Sequence, residues 1–133
     1  MSQIVSDMKK IYRLKGYDFM GYTFRTIGDL SYHHIHKQCD GGDKTLENGA
    51  LLNKYTSHPY LHIIEGKDYE IYYCINAILK QITEQQHHPT KEQLKAIREL
   101  LLTFESEHMR DVNSKGKVLI KYSFIKERID LWV

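Results

Sequence analysis

From Gln3 to Leu14 the apolar residues Ile4, Val5, Met8, Ile11 and Tyr12 recur at spacings of one, three and four, which predicts a short amphipathic helix ended by Gly16. Gly21 to Ile27 is rich in aromatic and β-branched residues and predicts a strand; after a Gly28-Asp29 break, Leu30 to Ile35 predicts a second. Asp40-Gly41-Gly42-Asp43 is a turn signal, and the short apolar run Ala50-Leu51-Leu52 suits a strand that pairs back as a hairpin. Thr56 or Ser57 can cap a following helix with Pro59 in its first turn, where the missing N–H is not needed. Ile71, Ile75, Ile78, Leu79 and Ile82 mark one face of a helix between Tyr69 and Ile82. Thr90 and Gln93 form a capping box opening another, with Leu94, Ile97, Leu101, Phe104 and His108 along one stripe. The tail from Val118 to Val133 suits helix or strand equally. The predicted fold class is α+β.

Composition adds bounds rather than chemistry. At 133 residues, 41% hydrophobic and 27% charged, the chain predicts a single soluble domain. No apolar run approaches the roughly 20 residues that span a bilayer, and residues 1–10 lack an apolar segment after their charges, so the expectation is a cytoplasmic protein with no membrane partner. Cys39 and Cys74 cannot form a four-thiolate zinc site and read as unpaired thiols. Formal charge is only +2, but basic residues gather at Lys9, Lys10, Arg13 and Lys15 and again from Lys115 to Arg128, two faces suited to a polyanion or simply to solvent.

The unusual feature is eight histidines, five of which (His33, His34, His36, His58 and His62) fall within 30 residues. His58 and His62 are four apart, so on a helix their Cβ atoms lie about 5–6 Å apart on one face, close enough to chelate one metal. A third ligand is needed, and His33 or His34 on the preceding strand is the natural donor. Neighbouring side chains on a strand point to opposite faces, so one of the pair suits ligation and the other is left as a free imidazole near the metal. An unperturbed imidazole pKa of about 6.5 suits such a group to take a proton from water.

Residues 30–62, LSYHHIHKQCDGGDKTLENGALLNKYTSHPYLH, resemble the ββα-metal finger of HNH endonucleases: a His-His pair ending a strand, a Gly-Gly loop, an asparagine, then H-x-x-x-H on a helix. The three-histidine set is most similar to the nuclease domains of bacterial colicins, and DFMGYTF at residues 18–24 with the helical second half resembles small HNH proteins of Gram-positive bacteria and their phages. The resemblance implies a ββα-metal (His-Me) finger with a β-hairpin, about residues 21–66, braced by a helical extension over about 67–112 and followed by a basic tail, 113–133. It implies His33, His58 and His62 as ligands of one divalent metal, His34 as general base, and Asn48 as the residue whose side chain ties the hairpin loop together. The two cysteine zinc knuckles common in the family are absent, so packing must brace the finger.

The implied activity is metal-dependent hydrolysis of phosphodiester bonds, DNA ahead of RNA, giving 5′-phosphate and 3′-hydroxyl ends. All-imidazole ligation suits zinc, nickel or manganese better than magnesium. Lys37, Lys44 and Lys54 flank the finger and are the expected phosphate contacts. A toxin-type RNase and a non-catalytic, metal-stapled nucleic-acid-binding module are the alternatives, and a homodimer is left open. His36, His87, His88 and His108 have no place in the pattern and read as ordinary polar or part-buried residues.

Overall fold

A computed structural model describes residues 3–37, 41–108, 110–112, 118–120 and 128. The fold mixes helix and sheet, in the order α1 (Gln3–Tyr12), β1 (Leu30–His34), β2 (Gly49–Asn53), α2 (Ser57–Lys67), α3 (Tyr69–Gln85), α4 (Lys91–His108), β3 (Arg110–Val112) and β4 (Val118–Ile120). β1 and β2 form an antiparallel hairpin in which His33 faces Ala50 and His34 faces Gly49. β3 and β4 form a second antiparallel pair, so the start of the ambiguous tail is strand. The other tail residues except Arg128 lie outside the described residues, as does Cys39; Cys74 is an exposed free thiol on α3.

Every residue of β2 is buried, which explains its unbroken apolar run: α1 and α3 both pack against it. Val5, Met8 and Tyr12 of α1, Ile75, Leu79 and Ile82 of α3, and Ile97, Leu101 and Phe104 of α4 complete one core around Leu51, Leu52, Leu61 and Ile64. The capping box that opens α4 is formed as the residue pattern predicts, with the Thr90 amide donating to Gln93 Oε1 (2.9 Å) and the Gln93 amide to Thr90 Oγ1 (3.1 Å). Gly49 is required by contact: a Cβ there would overlap the Tyr32 ring, which crosses it to exchange hydrogen bonds with the backbone of Thr45.

The strand predicted over Gly21 to Ile27 does not form. Only isolated bridges, Tyr17 to Thr23 and Tyr22 to Arg128, occur there. The reason is Asp18, fully buried, whose Oδ1 accepts the amides of Met20 and Tyr22 (both 2.9 Å) and so takes donors that a sheet ladder would use. Gly21, at φ +90, turns the chain between them in a conformation that favours glycine. Arg128 is also buried, donating to the carbonyls of Met20 (2.7 Å) and Leu94 (2.9 Å), so this basic-tail residue serves the interior instead of a polyanion.

The second Asp18 oxygen sets the entry to α2. Oδ2 accepts the Asn53 amide at 2.7 Å and the Ser57 hydroxyl, joining the end of β2 to the first residue of α2. Asn53 completes the junction by donating to the Thr23 carbonyl (2.8 Å) and accepting from the Tyr55 amide (2.8 Å). Burial pushes the Asp18 carboxyl up from its ordinary pKa, and the four hydrogen bonds it accepts work against that shift. Because three of the four donors are backbone amides that can only donate, Asp18→Asn sets an NH₂ group against at least one of them. A loss of about 2–4 kcal/mol in denaturant unfolding is expected. A change below about 1 kcal/mol would show that the junction holds without the carboxylate.

Candidate metal centre

β1 alternates as a strand should, and the alternation divides its residues between two faces. Ser31 and His33 face α2, while Tyr32 and His34 take the other side, their rings edge to face with centroids 4.8 Å apart. His58 sits in the first turn of α2 and His62 one turn on. The His33 ring lies 5.5 Å from that of His58 and 6.0 Å from that of His62, and the two helical rings are 4.9 Å apart, centroid to centroid. One nitrogen from each lies within 4.8 Å of the others, an arrangement that could hold a metal ion.

One nitrogen of each imidazole is bonded to the protein, and the partners bear on which nitrogen carries the proton. His33 Nε2 lies 2.9 Å from Asn76 Oδ1; since Asn76 Nδ2 donates to the Ile35 carbonyl (2.8 Å), Oδ1 is the acceptor and His33 the donor. Ser31 Oγ lies 3.2 Å from the Leu52 carbonyl and 2.6 Å from His58 Nδ1; with its one proton on the carbonyl it accepts from His58 Nδ1. His62 Nδ1 donates to the Glu65 carboxylate at 3.3 Å. His33 Nδ1, His58 Nε2 and His62 Nε2 are thereby left with lone pairs, the state that metal ligation requires. Despite its partial burial, Glu65 is held below the usual carboxylate range by its hydrogen bonds to Lys37 and His62.

Electrostatics favour the neutral imidazoles that ligation requires. Burial pushes His33 down to about 4 and His58 down to about 4, and the neighbouring histidines add like charge in both cases. His33 is 2% exposed, whereas the His62 side chain is 55% exposed and leaves the cluster open to solvent on one side. Among the described residues the cluster thus offers three imidazoles and one side open to solvent.

The other expected residues distribute around this cluster. His34 is near enough for its charge to disfavour protonation of His58, and its Nε2 is buried with no hydrogen-bond partner. It lines a cleft of about 580 Å³ together with Ser31, Tyr32, Lys44 and Lys54. Asn48 braces the loop: its Oδ1 accepts the His36 amide (2.7 Å), and its Nδ2 donates to the carbonyls of His36 (3.0 Å) and Asp43 (2.8 Å). Lys37 stands apart from Lys44 and Lys54, paired with Glu65. His36 is exposed; His87 and His88 lie between α3 and α4; His108 donates to Asp68 Oδ2 at 2.9 Å, in a group with Glu107 whose atoms are also close enough for an ion. Asp68 is already engaged there, accepting the Ile71 amide as the cap of α3.

Sequence reasoning missed Ser31, Glu65 and Asn76. Ser31 and Glu65 carried a signal, two residues before His33 on the same strand face and three after His62 on the same helix face. Asn76, 43 residues from His33, carried none. Comparison of the chain with protein-family models, curated proteins and solved structures finds no match.

Both depressed histidines bind fewer protons folded than unfolded between about pH 4 and their unfolded pKa near 6.5. The metal-free protein should therefore hold its full stability above about pH 6.5 and lose it progressively as pH falls toward 4, with a shallower fall in His33→Leu. A melting temperature that stays flat from pH 7 to pH 4.5 would contradict this. Asn76→Ala removes no ligand yet should weaken zinc binding by about 10–100-fold in calorimetric titration, because the His33 tautomer is no longer held.

Proposed function

We propose that the protein is a metal-dependent nuclease that hydrolyses phosphodiester bonds, built on a ββα-metal core of the HNH type. The observation that carries this reading is the convergence of His33, His58 and His62 on one point, each with its other nitrogen bonded to the protein. β1 supplies the first and α2 the other two, with β2 pairing back between them, in the strand–strand–helix order of the motif. Asn48, bonded to both sides of the loop, supports the role that the resemblance gives it.

His33, His58 and His62 would hold the ion, and an all-imidazole set suits zinc, nickel or manganese ahead of magnesium. When bound, such an ion supplies Lewis-acid stabilisation of the charge that builds on the phosphoryl oxygens and the leaving 3′ oxygen. His34, on the wall of the adjoining cleft, takes the proton from the attacking water. The water oxygen bonds to phosphorus, the bond from phosphorus to the 3′ oxygen breaks, and that oxygen takes a proton from solvent. Lys44 and Lys54, exposed and on the wall of the His34 cleft, bind flanking phosphates without reading bases. Asn48 holds the loop after His34, and so the base, in place. DNA stands ahead of RNA as substrate by the resemblance alone.

Supercoiled plasmid, single-stranded DNA and RNA digested in parallel with zinc, nickel, manganese and magnesium test the reading. Cleavage is expected with at least one ion, and His34→Ala should lower its rate by about 10²–10⁴ while binding zinc as the wild type does. Equal cleavage by that variant would remove His34 from the mechanism. Nucleic-acid binding with no cleavage under any ion would make the centre a structural staple.

A further inference from the structure

On the far side of the hairpin loop from Lys44, α3 presents an aromatic face that the proposed chemistry does not use. Tyr69 and Tyr73, one turn apart, are 59% and 66% exposed, with Tyr72 buried between them. These rings form one wall of a cleft of about 350 Å³; Ile35 to Lys37 and Asn48 form the other, and Asn76 and Lys80 continue the α3 side. Exposed tyrosines paired at helical spacing are unusual on a surface that gains nothing from them, because each leaves a large apolar ring in water.

The rings suit a flat ligand, and cationic side chains lie beside them, Lys37 with its charge paired to Glu65. Lys37 Nζ lies 5.9 Å from the centroids of both Tyr69 and Tyr72, and Lys80 stands at the far end of the cleft, against Glu47 as the one carboxylate among its lining residues. Two residues of the cleft also belong to the hydrogen-bond network of the histidine cluster. Asn76 on its wall bonds His33, and Lys37 pairs with the carboxylate that holds His62.

From this arrangement we infer that the cleft between α3 and the β1–β2 loop is a stacking site for unpaired nucleobases, which makes the protein's nucleic-acid ligand single-stranded or locally unpaired. Bases inside a duplex are already stacked on both faces and offer the tyrosines nothing, whereas an unpaired base of any identity presents a free π-face. Lys80, at the far end of the cleft, then lies where the backbone of such a strand passes. The stacking itself does not depend on catalysis; only the step from ligand to substrate rests on the nuclease reading above.

The test is fluorescence anisotropy with a labelled oligothymidylate and a blunt duplex of the same length, in EDTA, at low and moderate salt. The wild type should bind the single strand more tightly. Tyr69→Ala/Tyr73→Ala should lose roughly tenfold or more on the single strand at both salt concentrations and stay within about twofold on the duplex. Tyr69→Phe/Tyr73→Phe, which keeps the rings, should retain wild-type affinity. Loss of less than about threefold in the alanine variant, an equal loss on the duplex, or no single-strand binding by the wild type would overturn the inference and leave the cleft to another ligand such as a peptide. Metal is absent from this assay, so its outcome is independent of whether His34 supports cleavage.

Discussion

The buried carboxylate of Asp18 joins three segments: the turn at residues 18–22, the end of β2 and the start of α2. Only residues 54–56 separate β2 from α2, so the helix axis is set almost entirely by how Asn53 and Ser57 are held. His58 is the next residue along. A rotation of α2 by one position would carry both of its imidazoles about 100° away from His33, since a helix turns once in about 3.6 residues. The anchor thus has to be strong and directional, which a carboxylate accepting four hydrogen bonds in the dry interior provides and an apolar contact would not.

That rigidity has an electrostatic consequence. Three imidazoles brought together, one of them almost fully buried, cannot all carry protons, and the low pKa of His33 and His58 expresses the cost of trying. The fold resolves the conflict by keeping these two neutral and giving each ring's proton a fixed partner, in Asn76 and Ser31, with Glu65 doing the same for His62. The lone pairs are left convergent. Such a cluster is poorly satisfied by itself and well satisfied by a divalent cation, which is the physical reason for reading it as a metal centre instead of a set of core histidines. Lys37 belongs to the same network through its pair with Glu65.

Much of this was legible from spacing. The four-residue interval between His58 and His62, a turn signal, and an apolar run too short for a helix were enough to bring those two rings to His33 or His34 on paper, the resemblance alone choosing His33, and the capping box marked the start of α4. What failed did so for identifiable reasons. Gly21 to Ile27 has the composition of a strand, but the amides of Met20 and Tyr22 are taken by a side chain that no propensity anticipates. Asn76 lies on a helix whose apolar stripe says only that it packs, not which polar residue at its edge meets His33. The tyrosine cleft was invisible because Tyr72 and Tyr73, adjacent in sequence, separate into buried and exposed positions only once α3 is docked. Among the described residues no helix is long and apolar enough to cross a membrane, in line with the hydropathy pattern.

The central claim is that one ion binds His33, His58 and His62 together. X-ray absorption at the zinc edge, on protein loaded with one equivalent, tests it most directly. The account predicts an inner shell dominated by imidazole nitrogens at about 2.0–2.1 Å, fitted by three histidines, with one fewer in His62→Ala. Sulfur scattering near 2.3 Å, or an oxygen shell unchanged in that variant, would put the ion elsewhere and contradict it.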